Sequence, residues 1–205
     1  QGFTIKDPRI KESSGLAASH LHPPGIYWTH NDSDDGPYLY AVDSRTGRTV
    51  ARVTFSGVGR PPRDVEAVSI GPDDQIYVGD IGDNLDGSWP YVWIYRLPEP
   101  PRQLKDQTIR ATQYVVKYAD GARNAESLVV HPKTGRVYII DKKEDGGHLY
   151  EGPARLSSHG TNVFEPIAPP STCGPPTRPS RRTARGSPCA ATSAASSTTG
   201  TAGRS

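Results

Sequence analysis

The sequence predicts an all-β protein, and in more detail about three four-stranded blades of an incomplete β-propeller followed by an unstructured tail. One pattern of short strands and polar turns occurs three times along the chain. No segment has the spacing of a long amphipathic helix. With 21 Gly, 20 Pro and a mean hydropathy of -0.62, the composition is typical of a polar, loop-rich protein.

The repeated unit begins near a glutamate that is followed by small and aliphatic residues. The three glutamates are Glu12, Glu66 and Glu126, so successive units start 54 and 60 residues apart. Four short strands per unit are typical of a propeller blade, whose apolar faces are buried only by stacking on its neighbours. Because a closed ring needs about four to eight blades, missing blades are required for closure.

The strands follow in the same order in each unit. After the first strand and a turn come second strands that contain Tyr, at residues 25–32, 75–84 and 136–143. Third strands follow a polar turn, at residues 38–43, 92–97 and 148–152. Fourth strands are predicted at residues 51–55 and 112–118. The alternation of apolar and polar residues along these segments indicates strands with two distinct faces.

The chain divides into a partial propeller, residues 1–170, and a low-complexity tail, residues 171–205. The tail contains only Ser, Thr, Ala, Gly, Pro and Arg besides two cysteines. In the adjacent reading frame, residues 177–203 permit a strand, a Pro-Asp-Gly turn and a second strand. We therefore interpret the tail as a frameshift product, the alternative being a genuine disordered linker.

Charge and hydropathy exclude two classes of partner. Five arginines lie in the tail, which leaves 19 basic against 22 acidic residues before Ser171 and argues against nucleic-acid binding. No apolar run approaches the roughly 20 residues that span a membrane. The chain begins at Gln1 and has no Met, which predicts a processed, secreted product.

Several stretches together carry a family resemblance: ESSGLA, THNDSDDGPYLYAVD, VEAVSIGPDDQIYVGDIGDN, IYRLPEP and NAESLVVHPKTGRVYIIDK. Over about residues 8–152 the chain resembles the secreted β-propeller proteins of actinobacteria described as phytase-like, or as the esterase-like-phytase group. The resemblance implies a propeller of roughly six blades or more, export from the cell and, more loosely, ester or phosphoester hydrolysis.

Acidic loops after the second strands suggest a metal site. The candidate ligands share oxygen-bearing side chains at these loops: Asn31, Asp32, Asp80, Asp83 and Asn84. Oxygen ligands suit Ca²⁺, which is the predicted cofactor. The same residue types are also those that β-turns prefer.

The repeated Glu12, Glu66 and Glu126 are the candidate catalytic residues. They start the predicted innermost strands, where carboxylates lie near a central channel and can act as general acid and base. The alternative is that each glutamate accepts backbone hydrogen bonds and has a structural role. Lys142 and Arg63 are the candidate substrate-binding residues, as cations for a phosphate or carboxylate.

Two functions from different classes follow. The first is a secreted, Ca²⁺-assisted hydrolase of esters or phosphoesters. The second is a non-catalytic module that binds a small molecule or polymer, such as a glycan, peptide or cell-wall component, through Trp28, Trp89, Tyr91 and Trp93. An inactive truncated product is a further alternative.

Overall fold

The structure is a computed structural model that describes residues 2–32, 35–85, 87–143 and 146–167. Within these ranges the fold is all-β without helices, as predicted. The strands are β1 (Ser13–Ala18), β2 (Ile26–Asn31), β3 (Tyr38–Asp43), β4 (Arg48–Ser56), β5 (Val65–Ile70), β6 (Gln75–Asp80), β7 (Val92–Pro98), β8 (Gln107–Arg110), β9 (Thr112–Tyr118), β10 (Ala125–Val130), β11 (Val137–Asp141), β12 (Leu149–Glu151) and β13 (Thr161–Pro166).

The strands form three successive antiparallel meanders. Unit 1 is β1-β2-β3-β4, unit 2 is β5-β6-β7-β9, and unit 3 is β10-β11-β12-β13. The predicted second, third and fourth strands are therefore confirmed, with ends that differ by a few residues. That the units are propeller blades stays a prediction.

Two strands were not predicted, and both link one unit to the next. β8 pairs in parallel with β4 of unit 1, directly before β9 joins unit 2. The first four residues of β13 likewise pair in parallel with β9, and its last two residues then join β12. These parallel pairings combine the thirteen strands into two sheets of five and eight strands.

The hydrophobic core is divided between the two contacts of unit 2. Side chains alternate between faces along a strand, so on β7 Tyr95 packs towards unit 1, whereas Ile94 packs towards unit 3. Trp28 and Phe55 complete the first core, and Phe164 belongs to the second. Burial on both faces explains why β7 is apolar almost throughout.

The first strands of the three units lie side by side. β5 packs against β1 on one side and β10 on the other. Residues at the start of β5 are therefore covered from both sides, whereas β1 and β10 each pack against one other first strand among the described strands.

The predicted tail, residues 171–205, lies outside the described residues. No candidate for a membrane-spanning helix is found in the part of the chain that the structure describes.

Candidate functional site

Three carboxylates from two units meet near the first strands. Asp32 follows β2 of unit 1, Asp64 immediately precedes β5, and Glu66 lies within β5. One oxygen of each lies within 4.8 Å of the others. Asp64 and Glu66 are buried and Asp32 is half-buried. We call Asp32, Asp64 and Glu66 the acidic cluster.

A β-bulge holds Glu66 in the cluster. In β5, Val65 pairs with Asp80 and Ala67 with Gly79, which leaves Glu66 as the extra residue. Bulges of this kind redirect a side chain and are frequent next to functional sites. Glu126 occupies the same place in β10, between Ala125 and Ser127.

The register corrects the alignment of the three glutamates. In unit 1, Ser13 pairs with the last residue of β2, as Val65 pairs with the last residue of β6. Ser14 is therefore the counterpart of Glu66, and Glu12 lies two residues earlier, at the position of Asp64. Glu12 is exposed, and its carbonyl accepts a 2.9 Å hydrogen bond from the Asp32 amide.

Gly82 makes room for the carboxylates. A Cβ at this position would clash with Asp64 Oδ2 and would lie 2.8 Å from Glu66 Oε1. Any other residue would therefore displace at least one of the two carboxylates. Glycine here serves a close approach of side chains rather than a special backbone angle.

Burial and mutual repulsion raise the pKa values of the cluster. Burial, a hydrogen bond with the Asp32 carboxyl and neighbouring negative charges raise the pKa of Asp64 to about 6. Burial and the charges of Asp32 and Asp64 raise the pKa of Glu66 to about 7. Carboxylates this close cannot all ionise without compensation, so the cluster retains protons near neutrality.

Unit 3 adds a cation beside the cluster. Lys142 follows β11 and forms an ion pair with Glu126. Its pKa is raised first by the hydrogen bond to Glu126 and then by several carboxylates, Glu66 and Asp32 among them. The position of Lys142 corresponds to that of Asp32 in unit 1, since the Lys142 amide bonds to Asn124 as the Asp32 amide bonds to Glu12.

The cluster contains oxygen atoms with no hydrogen-bond donor. Asp32 Oδ1 and Asp64 Oδ1 are buried and receive no hydrogen bond from any N–H or hydroxyl among the described residues. Asp64 Oδ2 accepts a 3.0 Å hydrogen bond from Asn84. Buried anionic oxygens of this kind fit a hard divalent cation, which takes carboxylate ligands. Asn84 therefore contacts the cluster through its amide nitrogen, which donates to Asp64.

Two of the predicted metal ligands have both carboxylate oxygens engaged in hydrogen bonds. Asp80 accepts from the backbone amides of Arg63 and Asp64 and from the Tyr95 hydroxyl. Asp83 accepts from the backbone amides of Leu85 and Trp89 and from the Ser88 hydroxyl. Their oxygens hold loops in place, as the turn interpretation expects.

The side chain of Asn31 also forms hydrogen bonds, and none of them is to a carboxylate of the acidic cluster. Its Oδ1 accepts from the amides of Lys11 and Glu12, and its Nδ2 donates to the Arg9 carbonyl and to Asp35. Of the five predicted ligands, the structure therefore places Asp32 in the acidic cluster and Asn84 next to it.

Arg63 is held by aromatic side chains. Its guanidinium carbon lies 3.6 Å from the ring centre of Trp89 and 3.9 Å from that of Trp93, and it donates to the Tyr91 carbonyl. This stacking holds the loop before β5 against the loop between β6 and β7. Lys142, rather than Arg63, is thus the predicted substrate-binding cation that lies beside the carboxylates.

Asp64 and Gly82 are the site residues that sequence reasoning missed. Asp64 lies two residues before Glu66, so a second carboxylate close to the predicted catalytic glutamate was the relevant signal. That signal was available in the sequence. The role of Gly82 depends on its distance from both carboxylates and has no sequence signature.

Comparison with known proteins does not assign the chain to a family. Neither the protein-family models nor the curated proteins compared with the chain gave a match.

Proposed function

We propose that this protein is a secreted β-propeller hydrolase in which the acidic cluster binds a divalent cation, Ca²⁺ by preference, that assists hydrolysis of an ester or phosphoester. The observation that carries the proposal is the convergence of Asp32, Asp64 and Glu66 within 4.8 Å. Secretion and the hydrolase class are expectations from the family resemblance.

The propeller assignment is supported by how the units pack. Each unit is an antiparallel meander, the first strands are adjacent, and a separate core lies between each pair of units. The outer face of unit 3 leaves Val129 and Leu149 exposed. A further unit of the same kind would cover them, as stacking blades do.

The described residues suit the roles that such a reaction needs. A bound cation supplies Lewis-acid polarisation of the ester or phosphoryl oxygen and a more acidic water. Lys142 is placed to attract the anionic part of a substrate. Without a bound cation the pKa of Glu66 is raised to about 7, so Glu66 releases its proton on becoming a ligand and cation binding is favoured above neutral pH.

A non-catalytic binding module is the second candidate, and one observation favours it. Tyr91 is 44 % exposed and Trp89 is half-buried, so both reach the surface. Trp28 is fully buried and donates to Glu99, and Trp93 is buried under two arginines. Of the four predicted aromatic residues, Trp89 and Tyr91 are therefore the two that are able to contact a ligand at the surface.

Calcium titration of the full chain tests the proposal. We expect calorimetry to detect Ca²⁺ binding at about pH 8, and the variants D64N and E66Q to bind at least about tenfold more weakly because each loses a charged ligand. Hydrolysis of p-nitrophenyl acetate or p-nitrophenyl phosphate is expected to require Ca²⁺ and to stop on addition of EDTA.

The matched control is D43N. Asp43 is paired with Arg45 at the other end of unit 1, so its loss should change Ca²⁺ affinity by no more than about twofold. Equal weakening of Ca²⁺ binding by D43N and D64N would contradict a cation site at the acidic cluster. Ca²⁺ binding without hydrolysis of either substrate would leave the binding module as the function.

A further inference from the structure

A second site lies between units 2 and 3, at the ends of the strands opposite the acidic cluster. β5 starts beside the cluster at Val65 and ends at Ile70, and the turn that follows borders a cleft of about 520 Å³. We call this the rim cleft. Unlike the outer face of unit 3, it is bounded by two units that the chain itself contains.

The rim cleft presents two guanidinium groups. Arg96 comes from β7 and Arg155 from the loop after β12. Neither forms an ion pair with a carboxylate among the described residues, whereas Arg45, Arg123 and Arg136 each do. Two arginines that line one cleft and have no carboxylate partner among the described residues are suited to a carboxylate or phosphate.

The remaining lining is hydroxylic and aromatic. The cleft is also lined by the hydroxyl-bearing residues Thr134 and Ser158, by Asp73, and by Tyr77 and Tyr114. The Arg96 guanidinium carbon lies 5.5 Å from the Tyr114 ring centre. Hydroxyls, one carboxylate acceptor and aromatic faces are what a polyhydroxylated ring requires for hydrogen bonding and stacking.

The loop that carries Arg155 and Ser158 is held in position. Asn162 is 3 % exposed, accepts a 2.7 Å hydrogen bond from the Ser157 amide and donates to the Ser157 carbonyl. Leu156 packs against the core between units 2 and 3. The cleft is therefore largely formed before any ligand binds, as small-molecule sites usually are.

We propose that the rim cleft binds an anionic monosaccharide, a hexuronate or a hexose phosphate. Arg96 and Arg155 bind the anionic group, and Asp73, Thr134 and Ser158 bind the sugar hydroxyls. The volume lies within the range of about 300–1,000 Å³ that is common for small-molecule sites. The site is separate from the acidic cluster and does not depend on a metal.

Calorimetry of the full chain in EDTA, with D-glucuronate, D-glucose 6-phosphate and D-glucose as probes, tests this proposal. We expect at least one anionic sugar to bind about tenfold or more tightly than glucose, because charge-assisted hydrogen bonds are roughly twice as strong as neutral ones. The tighter of the two anions identifies the preferred group as carboxylate or phosphate.

The variants R155Q and R96Q are expected to bind the anionic sugar about tenfold more weakly and to bind glucose as weakly as the unmodified chain does. Arg155 is exposed on its loop, so R155Q is not expected to disturb folding. R48Q, at an exposed position of unit 1, is the matched control and should bind like the unmodified chain. Equal affinity for glucose and both anions, unchanged binding by R155Q, or no binding at about 10 mM would overturn the proposal.

Discussion

Buried carboxylates in this protein differ in what surrounds them. Asp80 and Asp64 are 1 % and 2 % exposed, respectively. Asp80 receives hydrogen bonds from two amides and a hydroxyl, which compensate its charge. Asp64 accepts one hydrogen bond from an amide side chain, that of Asn84, and faces two further carboxylates, one of which, Asp32, shares a hydrogen bond with it. The same residue type is structural in one place and available to a ligand in the other.

The raised pKa of Glu66 predicts a pH-dependent stability in the absence of metal. Its pKa is 4.5 when unperturbed and about 7 in the folded protein. The folded state therefore binds more protons between these values, and the free energy of unfolding falls as pH rises through this window. Urea unfolding in EDTA measures this change. Between about pH 5 and pH 8 the free energy of unfolding of E66Q should fall by about 1–2 kcal/mol less than that of the unmodified chain, a modest difference because solvent screens part of the repulsion.

Ca²⁺ should reverse that loss at about pH 8, because the cation binds only the folded cluster. D43N serves as the control: Asp43 has a lowered pKa, so its effect on stability lies at more acidic pH. A pH dependence of E66Q identical to that of the unmodified chain would rule out ionisation of Glu66 as the cause.

At the scale of elements, one residue joins units 1 and 2. Glu99 directly follows β7 and is 2 % exposed. Its carboxylate accepts hydrogen bonds from the Trp28 indole at 2.8 Å, from the Ser19 hydroxyl, and from the amides of His20 and Leu21. The end of β7 thereby fixes the turn between β1 and β2 against unit 2.

E99A should strongly destabilise the contact between units 1 and 2. The substitution leaves several buried donors without an acceptor, and we expect a loss of roughly 3 kcal/mol in the free energy of unfolding. Urea unfolding followed by tryptophan fluorescence measures the change. E165A removes an exposed glutamate from β13 and should stay within about 0.5 kcal/mol of the unmodified chain. Equal stability of the two variants would mean that Glu99 does not join the units.

At the scale of the whole molecule, burial depends on neighbouring units. Unit 2 has a partner on each face and contributes to both cores, whereas unit 3 has an outer face that exposes apolar side chains. These are Val129, Leu149 and Val163, which are 48 %, 36 % and 39 % exposed. Stability is then the sum of contacts between successive units, as in other repeat architectures.

Removal of residues 171–205 should leave the fold unchanged. Every strand of the described residues lies between Ser13 and Pro166, and the removed residues include no apolar side chain larger than Ala apart from four prolines and two cysteines. We expect a chain that ends at residue 170 to keep its melting temperature within about 1 °C, since this segment has little apolar surface to bury. A fall of several degrees in calorimetry would show that the tail contributes to folding.

Part of the candidate site was visible in the sequence. Asp32 was selected because it lies at the end of a predicted strand, Glu66 because it begins one, and Lys142 as a cation for an anionic substrate. The structure brings the three near one another. Asp80 and Asp83 were selected for the same reason, but local amides occupy their oxygens. Residue type and position along a strand do not tell a turn carboxylate from a free one, because that depends on which donors the fold supplies.

The sequence by itself determined the all-β class, the threefold repeat and most strands, because alternation and turn residues act over a few neighbouring positions. Only the tertiary structure decided the parallel pairings of β8 and β13, the bulge that makes Ser14 rather than Glu12 the counterpart of Glu66, and the close approach at Gly82. Each of these joins residues of different strands or units. Their physical cause is packing between distant segments, which a local pattern does not encode.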